Sequence, residues 1–106
     1  AFLDIRPLTK GHTLVIPKQE TDYLFDLSDD LYSGLHIFAK AVAKAIQNSV
    51  DCVRIATAVV GLEVPHAHIH LVPINQISDL NFGNPRVELS PEEMAELANT
   101  IQKNLV

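Results

Sequence analysis

Cysteine occurs once in the 106-residue chain, at Cys52, so neither an internal disulfide nor a Cys-x-x-Cys metal pair can form. A reducing, cytoplasmic setting is the expectation that goes with such sparing use. No apolar run approaches the roughly 18 residues needed to cross a bilayer. The opening AFLDIRPLTK lacks a basic stretch followed by an apolar one, so no secretory leader is expected either. Basic residues are outnumbered, 8 Lys and Arg against 13 Asp and Glu, and they form no block. A polymeric nucleic acid, held mainly through its phosphates, calls for a basic face, so no nucleic-acid polymer is expected as partner. One small anion is not excluded, because a few local donors can hold a phosphate within an acidic protein.

The chain also has no repeat, low-complexity tract or linker, and one domain over residues 1–106 is expected. AFLD (1–4) and HTLVIP (12–17) read as strands, the second closed by Pro17. Ser28 to Asn48 reads as the main helix, with Ser28 as N-cap and Asp29 and Asp30 at its positive end. Leu31, Leu35, Phe38, Val42 and Ala45 recur at helical spacing and form its expected apolar face. VRIATAVV (53–60) is β-branched and reads as a third strand, Gly61 interrupts it, and HAHIHLVPI (66–74) is the fourth. A polar loop over 75–85 follows. SPEE (90–93) is a capping box with proline at the first helical position, and Met94, Leu97, Ile101 and Leu105 make the stripe of a C-terminal helix. Antiparallel strands with two segregated helices give an α+β domain.

The sequence is most unusual at PHAHIHLVP (65–73), where histidine recurs at every second position. On a strand, alternate side chains share a face at a spacing of about 6.6–7 Å, so His66, His68 and His70 would point one way and Ala67, Ile69 and Leu71 into the core. Three readings stand at this point. The histidines are a solvated strip; or a neighbouring pair holds zinc with a third ligand such as His12 or an acid, since His66 and His70 lie about 13 Å apart; or they act on phosphorus. In the last case a neutral imidazole attacks, and its neighbours donate to the phosphoryl oxygens. The middle ring, His68, is then the natural nucleophile.

HAHIHLV matches the pattern His-φ-His-φ-His-φ-φ (φ apolar) and resembles the signature of the histidine triad (HIT) nucleotide-binding family. FLDIRPLTKGHTLVIPK (2–18) and GLEVPH (61–66) resemble the family's upstream segment and the turn before the triad, so the resemblance spans roughly residues 2 to 74. It implies a HIT-like α+β fold and a homodimeric enzyme that binds small purine nucleotides. Such enzymes hydrolyse or transfer at the α-phosphorus through a nucleotidyl-histidine intermediate, without a cofactor. By resemblance His68 is the nucleophile, His70 contacts the phosphate and assists the leaving group, His66 helps hold the site, and His12 supports the triad from the neighbouring strand. Asp4 falls on the acid that accepts from the ribose hydroxyls, a role a carboxylate suits. Phe2, Leu3 and Ile5 fall on or beside the wall of the base pocket. Leu62, Glu63 and Val64 fall in the phosphate-contacting turn, where Leu62 replaces the usual Gln and Glu63 a small polar residue. His36 matches nothing and is expected at the surface.

Glu20 stands where a histidine is often found, the family's usual N-terminal segment is missing from the match, and no zinc is expected. A nucleotide-binding module of the same fold without catalysis, and a zinc-dependent hydrolase using the triad histidines, are the alternatives.

Overall fold

The computed structural model describes residues 1–105. Four strands form one antiparallel sheet: β1 (Phe2–Leu3), β2 (Thr13–Val15), β3 (Arg54–Ala58) and β4 (Ile69–Ile74), in the spatial order β1-β2-β4-β3. β4 is an inner strand, pairing Leu71 with Thr13 on one side and with Thr57 on the other. Such a strand loses solvent on both flanks, and Ile69, Leu71 and Val72 are at most 1% exposed.

Helix α1 (Asp29–Gln47) begins where Ser28 Oγ accepts the Leu31 amide at 3.3 Å, with Asp29 and Asp30 in its first turn. Helix α2 (Pro91–Asn104) carries the expected capping box, Ser90 and Glu93 exchanging both bonds at 3.1 Å. Both helices contribute to one core with the sheet. Leu35, Ala39, Val42, Ala45 and Ile46 of α1 meet Val15, Ala67, Ile69 and Leu71, and Leu97 and Ile101 of α2 close the far side.

The α1 face is rotated from the expected one. Leu31 and Phe38 are 38% and 41% exposed, and Ala39 and Ile46 are buried instead. Position 39 lies one residue, about 100°, from 38, so the short Ala39 lets the helix approach the sheet while the bulky Phe38 sits at its border. Leu105 caps α2 from outside the helix and is also 38% exposed.

The strands are shorter than their apolar runs. β3 stops at Ala58, leaving Val59 and Val60 exposed at 43% and 52%. β4 starts at Ile69, so His66 and His68 precede the strand rather than lie on it. Their backbone bonds go elsewhere: the Ala67 amide donates to the Thr21 carbonyl at 2.7 Å, and the His66 carbonyl accepts from the His68 ring at 2.7 Å. The expected alternation survives across this irregular stretch, since Ala67, Ile69 and Leu71 all enter the core.

Candidate active site

Sheet register decides what meets His70. Opposite it stand Leu14 of β2 and Ala58 of β3. Residues two apart share a face, so His12, two before Leu14, lies diagonal to His70. The rings meet there, with His12 Nε2 3.0 Å from His70 Nδ1. Asp4 arrives by the same logic. Leu3 pairs with Thr13, which sets Asp4 beside His12, and the Asp4 amide donates to the His12 carbonyl at 2.9 Å. Its Oδ1 accepts the Arg6 amide at 2.8 Å, and Oδ2 lies 3.7 Å from His12 Nε2.

A glycine turn delivers His12. Gly11 has φ +99°, the left-handed region that side chains rarely adopt, and a Cβ there would come within 3.1 Å of Pro73 Cγ. The chain reverses at this point into β2, and His12 emerges fully buried.

The hydrogen bonds fix which nitrogen holds each proton. Burial lowers the His12 pKa from 6.5, Asp4 opposing and Arg86 adding to the effect. Burial first, then the charges His12 and His68 would carry, lower His70 to about 4, with Asp4 opposing and Arg86 assisting. Both rings are therefore neutral near pH 7, each with one N–H, and the 3.7 Å approach of Asp4 to His12 is not an ion pair. The Leu8 amide donates to His12 Nδ1 at 3.0 Å. The His12 proton thus sits on Nε2 and is donated to His70 Nδ1, which leaves the His70 proton on Nε2, the ring's free nitrogen.

His68 is set the opposite way round. Its Nδ1 lies 2.7 Å from the His66 carbonyl, which can only accept, so Nδ1 carries the hydrogen and Nε2 keeps a lone pair. The His68 and His70 rings lie 4.9 Å apart at 72°. A nitrogen with a free lone pair and a donor nitrogen therefore belong to adjacent rings. His66 does something else: its Nε2–H donates to the Pro17 carbonyl at 2.8 Å, anchoring the stretch before β4 to the end of β2.

Other expected residues spread around this centre. Leu3 packs on the core, whereas Phe2 and Ile5 are 51% and 87% exposed. Leu62, Glu63 and Val64 form an exposed turn after Gly61, and among the described residues their side chains make no hydrogen bond to the histidines. His36 is exposed on α1, as expected. A cleft of about 430 Å³ reaches His68 between Tyr23, Phe25, Val59 and Val60.

Two neighbours of His70 were not foreseen. Phe82 packs edge-on against it, ring centroids 4.8 Å apart at 68°, and the Arg86 guanidinium lies 5.9 Å from the Phe82 ring. Phe82 comes from the loop read only as polar and Arg86 directly follows that loop, and an aromatic stranded among Asn, Gly and Pro was the one signal available.

Asp4, His12 and His70 offer donor atoms within 4.8 Å of one another, a spacing a metal ion could use. The hydrogen bonding does not fit one. His12 Nδ1 already accepts from the Leu8 amide. A metal on Nε2 would strip the buried ring of both protons, or set an Nδ1–H against that amide.

The family model described as "HIT domain" matches residues 1–77. The chain is 35% identical over 107 residues to the adenosine 5'-monophosphoramidase hnt1 of Schizosaccharomyces pombe, covering 99% of this chain and 80% of that protein. It is 33% identical over 99 residues to the adenosine 5'-monophosphoramidase HNT1 of Saccharomyces cerevisiae, covering 92% of this chain and 63% of that protein. Among solved structures, a hypothetical histidine triad nucleotide-binding protein from Sulfolobus tokodaii superimposes with a TM-score of 0.79 at 25% identity, covering 97% of this chain and 74% of that one.

Proposed function

Because the chain belongs to the histidine triad (HIT) family, we propose that it is a nucleotide hydrolase or transferase. It acts at the α-phosphorus of a small purine nucleotide, on a phosphoramidate or phosphoanhydride bond. The observation that carries the reading is the opposite tautomers of His68 and His70, a lone pair on one Nε2 and a hydrogen on the other, on rings 4.9 Å apart.

In the reaction, His68 Nε2 attacks the α-phosphorus and forms a P–N bond as the bond to the leaving group breaks. The leaving group departs with the electron pair and takes up a proton from solvent, and the water that attacks in the second step returns one. His70 Nε2–H donates to a non-bridging oxygen, where negative charge accumulates. Water then attacks the same phosphorus, the P–N bond breaks, and a nucleoside monophosphate leaves with His68 restored. No step needs a metal or other cofactor. Asp4 keeps acceptor capacity on Oδ2 for ribose hydroxyls, and Phe2, Leu3 and Ile5 flank the base. In this reading the exposed turn of Leu62, Glu63 and Val64 supplies backbone amides to the phosphate, and the Glu63 carboxylate stays in solvent. His66 and His12 hold the machinery in place.

A homodimer is part of this reading. Ile37, Phe38 and Val53 expose 70%, 41% and 65% of their surface, and among the described residues the outer edge of β3 is unpaired, features that favour association with a second copy. A cytoplasmic location is also part of it; among the described residues no helix is long and apolar enough to cross a membrane.

The test is incubation with an adenosine phosphoramidate, with acid-quench trapping of the nucleotidyl adduct. Turnover and adduct should both vanish in His68→Ala, and turnover should survive exhaustive chelation. Nucleotide binding without any turnover by the parent would make the chain a binding module instead.

A further inference from the structure

The loop after β4 returns across the molecule and lies on the donor side of the site. Phe82 covers His70 at 4.8 Å and reaches His12 at 6.5 Å, edge-on in both cases. Arg86 holds this arrangement from outside. Its Nη1 donates to the Arg6 carbonyl at 3.0 Å, its Nη2 to the Phe82 carbonyl at 3.4 Å, and its guanidinium lies 5.9 Å from the Phe82 ring centre. The Val87 amide then donates to the Pro7 carbonyl at 2.9 Å. The loop is thereby stitched to residues 6–8, the segment whose Leu8 amide orients His12.

We propose that Phe82 and Arg86 are positioning residues of the site, holding His70 as a neutral imidazole that presents one N–H to the substrate. Phe82 does this by excluding water from the ring face, and Arg86 by placing a fixed cation where a second proton on His70 would be repelled. The groups facing His70 are few. His12 comes from the start of β2, Asp4 from the β1–β2 connection, His68 from the stretch before β4, and Arg86 from this loop, while Leu14 and Ala58, its sheet partners, are uncharged. Burial, His12 and His68 do most to keep His70 neutral; Asp4 favours its protonation, and Arg86 adds a smaller opposing charge on the side that Phe82 covers.

The inference rests on the α-phosphorus chemistry proposed above for the use of that donor, but its first readout does not need turnover. Titration of the histidine ring nitrogens by NMR follows His70 in the parent and in Arg86→Gln, which keeps donor groups and removes the charge. The His70 midpoint should rise by about a few tenths of a unit in Arg86→Gln and return towards the parent value in Arg86→Lys. Phe82→Leu should raise it too, by admitting water. In activity, the acid limb of kcat/KM should move to higher pH in the same variants, with the loss larger at pH 5 than at pH 7.5. A His70 midpoint that stays fixed in a folded Arg86→Gln, or variants that lose stability without moving it, would overturn the proposal and reduce the pair to a structural clasp. Should Arg86→Gln not fold, Arg86→Lys against Phe82→Leu decides the same question. If the parent proves inactive while the midpoints move as stated, the function reading fails and this one stands.

Discussion

His12 and His70 are joined nitrogen to nitrogen, Nε2 to Nδ1 at 3.0 Å, with both rings out of solvent. The Leu8 amide starts this chain of donors and the free Nε2 of His70 ends it. The nitrogen on which His70 carries its outward proton is thus set by a backbone N–H two hydrogen bonds away. Preorganised donors of this kind cost no rearrangement when charge develops on phosphorus.

Replacing His12 by Phe breaks that chain in the middle. The Leu8 amide loses its partner, a cost of about 1–3 kcal/mol for a buried donor, and the His70 tautomer is no longer imposed. We expect kcat/KM to fall by about 10–100-fold, the usual effect of removing an orienting partner, alongside a lower urea midpoint. Initial rates on an adenosine phosphoramidate and equilibrium unfolding measure the two effects separately.

Stability should fall on the acid side. His70 titrates near 4 when folded against 6.5 as a free group, and His12 is displaced in the same direction. Between those values the unfolded chain binds more protons than the folded one, so unfolding becomes easier as pH drops. The stabilisation is fully present above 6.5 and is lost progressively towards 4. Urea midpoints measured at pH 7.5, 6, 5 and 4.5 should decline steadily, and less steeply in His70→Phe.

Asp4 should discriminate sugars. Its replacement by Asn keeps shape but removes the charged acceptor, worth about 1.5–3 kcal/mol in hydrogen bonds to ionised groups. Affinity for a ribonucleotide should drop by about 10-fold or more, while affinity for a 2',3'-dideoxynucleotide should hardly change. Calorimetry on the four combinations gives the coupling directly, and equal losses for both sugars would remove Asp4 from the ribose.

The two left-handed glycines should respond unequally to alanine. At Gly61 nothing lies within 4 Å of the added methyl, so only backbone strain of about 1 kcal/mol is expected. At Gly11 the methyl also meets Pro73 and Val50 at 3.1 and 3.3 Å, and the turn that aims His12 must shift. Gly11→Ala should therefore lose more in denaturant midpoint, and it should lose activity as well.

Much of this architecture was legible in the residues themselves. Helix ends were announced by Ser28 and by the Ser90–Glu93 box, whose side chains bond their own neighbours and need no tertiary context. The grouping of the histidines showed through because alternation is a local property, and the His68 and His70 rings do come together. Two things were hidden. The strand boundary before Ile69 depends on Thr21 claiming the Ala67 amide, a bond across 46 positions of chain. Phe82 and Arg86 likewise reach the site on a segment tied to Arg6 by Arg86 and to Pro7 by the Val87 amide, contacts that no periodicity encodes. The face of α1 was misjudged by one residue because hydrophobic size alone favoured Phe38 over Ala39.

The ladder of β4 includes His70 but stops short of His68. One imidazole is therefore bolted to a girder while its neighbour rides on a tether, held by the grip of its own ring on the His66 carbonyl. A change in the cords around it, at Thr21 or Pro17, would therefore re-aim the tethered ring and leave the bolted one where it is.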